Sequence, residues 1–159
     1  MLDQKVIDIL VYRINQEQTS SKLYEAMGLW LDNKGFKGFA ELYKNFYTEE
    51  LKHADFSKEY LLSYGVTPVM KTIPEQQSEY ESLQEILELT MSHEELVTQQ
   101  CEELQAFALK NNLPTLQTLA LKYCAEQVEE LDRSRNILDH SKLTTDLLVF
   151  DNYIKENYL

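Results

Sequence analysis

The chain has 159 residues, a length that suits one domain better than two. With 43% hydrophobic and 26% charged residues it can fill a core, which excludes disorder throughout, and four Gly and three Pro are too few for an all-β chain. A formal charge of −12 excludes a fold-wide basic surface for nucleic acid and makes cations the natural partners.

The chain opens MLDQKVIDILVYRINQEQ, with Asp3, Lys5, Asp8, Arg13 and Glu17 scattered through it. That pattern is neither a secretory signal nor a membrane span. Asp3 is a candidate N-cap for a first helix over about 4–33, which Lys34-Gly35 turns. A second runs over about 36–64 and stops at Gly65, with Pro68 beyond. Residues 65–81 hold two prolines and no sustained apolar period. Ser82 with Glu85 three residues on is a capping-box pattern that opens a third helix to about 111. Pro114 marks the next break, and a fourth helix follows over about 115–140. Thr145 or Asp146 would cap a short fifth helix over 146–158. Cys101 and Cys124 lie in helical contexts without CxxC spacing, so free thiols in a cytoplasmic protein are expected.

Each long segment carries a stripe with steps of three and four, the seam of a bundle helix. It reads Leu10, Ile14, Glu17, Ser21, Tyr24, Gly28, Leu31 in the first and Phe39, Tyr43, Phe46, Glu50, His53, Ser57, Tyr60 in the second. In the third it is Leu83, Leu87, Thr90, Glu94, Val97, Cys101, Leu104. The fourth has two adjacent rows, Leu116, Leu119, Tyr123, Glu126, Glu130 and Ala120, Cys124, Gln127, Leu131. Four such faces predict an all-α four-helix bundle as a single domain, 1–159. A helix of this length spans roughly 44 Å at about 1.5 Å per residue. The 65–81 linker can extend about 56 Å at roughly 3.3 Å per residue, enough to run the length of the bundle. The expected topology is therefore up-down-down-up with one long crossover.

The stripes stop being apolar at one level. Glu17, Glu50, His53, Glu94, Gln127 and Glu130 lie near the midpoints of their helices. Buried carboxylates each lose several kcal/mol of solvation, so protons or cations must neutralise them. Two bridged divalent ions would do so, and Glu-x-x-His at 50 and 53 is the helical spacing that aims both side chains at one metal. Carboxylate with imidazole suits iron, manganese or zinc. A single glutamate on a stripe means little in so acidic a chain, and a lone histidine is more often a core residue. The set weighs more, since Glu17 to Glu50 and Glu94 to Gln127 are both 33 residues apart.

At these residues the chain resembles the non-haem ferritins, the bacterial type above all. The motifs are NQEQTSSKLYEAM, YTEELKHA, HEELVTQQ and YCAEQVEE, one in each long helix. The resemblance implies the ferritin-like fold and a ferroxidase, with Fe²⁺ oxidised by O₂ or H₂O₂ and ferric mineral stored in a shell of 24 subunits. It implies a first iron at Glu17, Glu50 and His53, and a second at Glu50, Glu94 and Glu130 with Gln127 beside it. Tyr24 matches the tyrosine next to the di-iron centre. Glu49, Glu126 and Glu129, with Glu130, match a third iron site, although a solvated acidic face is the ordinary reading of Glu49 and Glu129. Gln127 in place of a carboxylate would weaken the second site and let Fe³⁺ leave.

Two departures bear on relatives. Bacterioferritins repeat Glu-x-x-His in the fourth helix and supply a haem methionine just before the second-helix histidine, whereas this chain has Gln127-x-x-Glu130 and Lys52, so no haem is expected. Lys122 stands where related ferritins often carry a tryptophan. In the fifth segment Leu147, Leu148, Phe150, Ile154 and Tyr158 would be exposed in a monomer, which supports burial in an assembly. The competing reading is a bundle that holds zinc or manganese without turnover. A di-iron enzyme acting on organic substrates would need added helices to build its pocket.

Overall fold

The computed structural model describes residues 1–159 as five helices without a strand. They are α1 (Gln4–Asn33), α2 (Lys37–Ser63), α3 (Leu83–Lys110), α4 (Pro114–Ser141) and α5 (Leu147–Tyr158). The chain clusters into two compact units, one of Met1–Glu79 with Leu148–Leu159 and one of Tyr80–Leu147.

In the first unit α1 and α2 form an antiparallel pair. Asp3 caps α1 by accepting from the Lys5 N–H at 2.7 Å, which satisfies one of the helix's open donors. The helix ends in a turn where Gly35 takes φ +91°, a left-handed conformation that costs glycine little, and the Phe36 N–H returns to the Leu31 carbonyl at 2.9 Å. Leu10, Ile14, Met27 and Leu31 of α1 and Phe39, Leu42, Tyr43 and Phe46 of α2 are buried. The crossover is tied to α1 where Asn15 donates to the Thr72 carbonyl at 3.0 Å.

The start of α2 has no cap in its own sequence, since Phe36 offers no side-chain acceptor. Asp151 of α5 supplies one from more than a hundred residues away. Its two carboxylate oxygens accept from the Gly38 and Phe39 N–H groups at 3.0 and 2.9 Å. Gly38 makes this approach possible, because a Cβ there would lie 2.5 Å from the Asp151 carbonyl oxygen. Phe150 meets Phe39 edge to face at 4.9 Å. Phe150 and Ile154 are consequently buried within the chain, so of the residues expected to be free in a monomer only Leu147 and Leu148 are exposed, next to Val149, while Tyr158 is half-buried.

In the second unit α3 and α4 pair. Ser82 accepts from the Glu85 N–H at 3.1 Å, and Glu85 reaches back to the N–H of Glu81, one residue earlier than a standard capping box. Asn112 takes φ +53° in the turn between the helices, a left-handed role that asparagine tolerates. Pro114 is the first residue of α4 rather than the break before it. Its missing N–H costs nothing in the first turn, and its φ suits a helix.

Candidate metal centre

The middle of the α1–α2 pair carries the polar layer. Glu17 lies on the buried face of α1, and Glu50 and His53 share a face of α2 at i and i+3. All three are almost fully buried, at 1%, 3% and 4% exposure. The His53 Nδ1 sits 3.4 Å from Glu50 Oε2 and 3.9 Å from Glu17 Oε2. One ligand atom from each of the three falls within 4.8 Å of the others, a spacing that one ion can span.

A fourth side chain enters this layer that the stripe pattern did not single out. Arg13, one turn before Glu17 on α1, places Nε 2.8 Å from Glu17 Oε1 and is itself 3% exposed. Its signal in the sequence was the i, i+4 spacing to Glu17. It is the one arginine or lysine that the interior buries, against four buried glutamates, Glu17, Glu50, Glu94 and Glu130.

In the α3–α4 pair, Gln127 donates from Nε2 to Glu94 Oε2 at 2.9 Å and to Thr98 Oγ1 at 3.3 Å. Its amide thus orients the Glu94 carboxylate, and only its carbonyl oxygen is left as a possible metal donor. Glu130, three residues further on, is buried on the same helix. Thr98, like Arg13, carries no mark in the stripe pattern, since a threonine just off the seam has no distinguishing spacing. Cys124 is half-buried, and burial, then the nearby Glu102 charge, pushes its thiol above the ordinary range. Such a thiol is protonated and unreactive at neutral pH.

The outer candidates differ. Glu49 and Glu126 are half-buried and Glu129 is exposed. Tyr24 is fully buried, packed edge to face against Tyr43 and Phe46 with ring centres 5.8 and 5.6 Å away. Lys52 and Lys122 are both exposed.

Buried carboxylates and an imidazole on facing helices define a candidate carboxylate-type metal centre of the helical class, and the chemistry of the donors fits a hard or borderline divalent ion. Comparison with known proteins gives the class its family. The family model for the ferritin-like domain matches residues 7–144. The bacterial non-heme ferritin of Escherichia coli O157:H7 is 34% identical over 144 residues, covering 90% of this chain and 87% of that protein. A probable bacterial non-heme ferritin-like protein of Haemophilus influenzae is 33% identical over 139 residues, with 87% and 84% covered. Among solved structures, an open-pore ferritin from the hyperthermophilic archaeon Archaeoglobus fulgidus superposes with a TM-score of 0.93 at 28% identity, over 98% of both chains. The chain belongs to the ferritin family, and its fold is the all-α ferritin-like four-helix bundle with a short C-terminal fifth helix.

Proposed function

We propose that the protein stores iron and is a ferroxidase, with iron as its substrate and cargo. The observation that carries this reading is the buried Glu17, Glu50 and His53 group, whose ligand atoms lie within 4.8 Å of one another in a chain of the ferritin family. Glu17, Glu50 and His53 hold one Fe²⁺. Glu50 also serves a second, held by Glu94 and Glu130 with Gln127 beside it. Glu49, Glu126 and Glu129, with Glu130, form a third position nearer the surface. The family and the sequence spacing support these assignments, and the chain acts in this as a single domain, 1–159.

Pairing two Fe²⁺ matters because each gives up one electron. Together they reduce O₂ by two electrons to peroxide with uptake of two protons, or reduce H₂O₂ to water, without releasing a one-electron oxygen radical. Anionic oxygen ligands favour Fe³⁺ over Fe²⁺ and so ease the loss of electrons. Tyr24, about two turns from Glu17 on α1, serves as an aromatic neighbour of the centre. Storage requires a container, and a shell of 24 chains is the assembly we assign. The names of the bacterial relatives support iron as cargo. No helix is long and apolar enough to cross a membrane, and a cytoplasmic location fits the bacterial relatives.

The test is anaerobic loading of the apo-protein with Fe²⁺, then mixing with O₂ while following ferric absorbance in the near-ultraviolet. Rapid oxidation saturating at two or three irons per chain is expected, and a Glu50→Ala/His53→Ala variant should lose it. Oxidation no faster than in buffer, with metal still bound, would instead favour a bundle that holds zinc or manganese without turnover.

A further inference from the structure

The geometry points to Arg13 as a positioning residue that restrains how Glu17 takes a metal. Its charge lies against Glu17 Oε1 in a buried ion pair that lacks hydrogen-bond alignment, and Oε2, the oxygen turned toward His53, is the one offered to a cation. This inference rests on the iron reading above. Four observations carry it. The Arg13 Nε to Glu17 Oε1 contact is 2.8 Å, and both side chains are at most 3% exposed. Glu17 Oε2 is the oxygen within 3.9 Å of His53 Nδ1, so the two oxygens of one carboxylate face different partners. No other arginine or lysine is buried. The order of the pair, with the cation N-terminal to the acid at i, i+4, is the less favourable one for a helix.

Stability alone does not explain such a pair. Replacing a buried ion pair with apolar side chains of similar volume is often neutral or stabilising. Its value lies in what it does to the carboxylate. A guanidinium does not deprotonate in proteins, so its charge stays in place whether or not metal is bound. Without metal it offsets a buried carboxylate that would otherwise be costly. With metal it repels the incoming cation and withholds Oε1, so that Glu17 binds through one oxygen. The first iron position is thereby weakened while its empty state is stabilised. A store that must pass Fe³⁺ onward gains from a site that does not trap its product.

The test uses the whole 159-residue chain and Co²⁺, which is not oxidised under the conditions. Affinity for the first equivalent is read from the visible band of bound Co²⁺, and melting temperature is measured with and without the ion. Arg13→Gln should tighten Co²⁺ binding by roughly five- to tenfold. It should melt lower than wild type when empty, and Co²⁺ should raise its melting temperature by more than it raises that of wild type, as linkage requires. A role in packing alone would lower the empty and loaded forms equally and leave the affinity unchanged, and that result overturns the inference. If Arg13→Gln does not fold, Arg13→Lys decides. Lysine keeps the charge but loses the Nε contact, so it should tighten binding by a smaller factor, and an unchanged affinity overturns the inference. His53→Ala separates the two readings. If Co²⁺ binds that variant as it binds wild type, the metal centre itself is wrong. If binding depends on His53 but not on Arg13, only the present inference fails.

Discussion

At the scale of single residues, what matters is which atom each polar side chain turns inward. Gln127 turns its amide nitrogen to Glu94 Oε2 at 2.9 Å. Replacing it with glutamate removes that donor and sets a second carboxylate against the first in a buried place. Gln127→Glu should therefore destabilise the empty protein by about 1–3 kcal/mol, the cost of leaving a buried acceptor unsatisfied. It should also bind Zn²⁺ more tightly and slow the turnovers that follow the first burst of oxidation, because product then leaves a stronger site. Zn²⁺ titration and multi-turnover kinetics check the two halves, and weaker Zn²⁺ binding would contradict the argument. The positions of the inward polar residues were legible in the sequence, because glutamates and a histidine interrupt otherwise apolar stripes at helical spacing. Their orientation was not. Position 13 is three residues from Leu10 and four from Glu17 and so shares their face, but a charged side chain there reads as solvent-facing until the neighbouring helix covers it, and an amide's choice between donor and acceptor depends on a neighbour on another helix.

Among the elements, the long helices were the most legible part, since their caps and stops are local chemistry: Asp3, Gly35, Gly65 and Ser82 each act within a few residues of themselves. The docking of α5 was not legible, because it rests on a contact between residues 38–39 and 151. Asp151 satisfies two open N–H groups at the start of α2, and its burial at 5% exposure keeps water from replacing it. Asp151→Ala should cost about 1–3 kcal/mol for the buried donors it leaves without an acceptor. Gly38→Ala should act in the same direction for a different reason, since its new Cβ would lie 2.5 Å from the Asp151 carbonyl oxygen and one of the two helices must move. Thermal melts measure the loss, and limited proteolysis should release the C-terminal segment faster in both variants than in wild type. Equal protection in all three would mean that α5 is held by its buried Phe150 and Ile154 alone.

For the whole molecule, the governing quantities are a formal charge of −12 per chain and the apolar residues left uncovered. The charge works against assembly and favours cation uptake, so any shell must be held by apolar burial that outweighs like-charge repulsion. Leu147, Leu148 and Val149 are 48%, 72% and 60% exposed in the isolated chain, a consecutive apolar run at the start of α5. Their exposure would be unfavourable in a monomer, and burial stabilises at about 25 cal/mol per Å² of apolar surface. Leu148→Asp places a charge in that run without touching the metal ligands or the buried side of α5. Sedimentation should show smaller species than the shell proposed for wild type, and the added negative charge should make the shift larger at low salt. Because the proposed oxidation centre lies within one chain, the first rapid oxidation of two Fe²⁺ per chain should survive in this variant. The capacity to keep ferric ions soluble beyond those the centre itself binds should not, since no closed cavity would hold them. Loss of both together would place the oxidation chemistry between chains rather than within one, and retention of both would move the assembly contact away from α5.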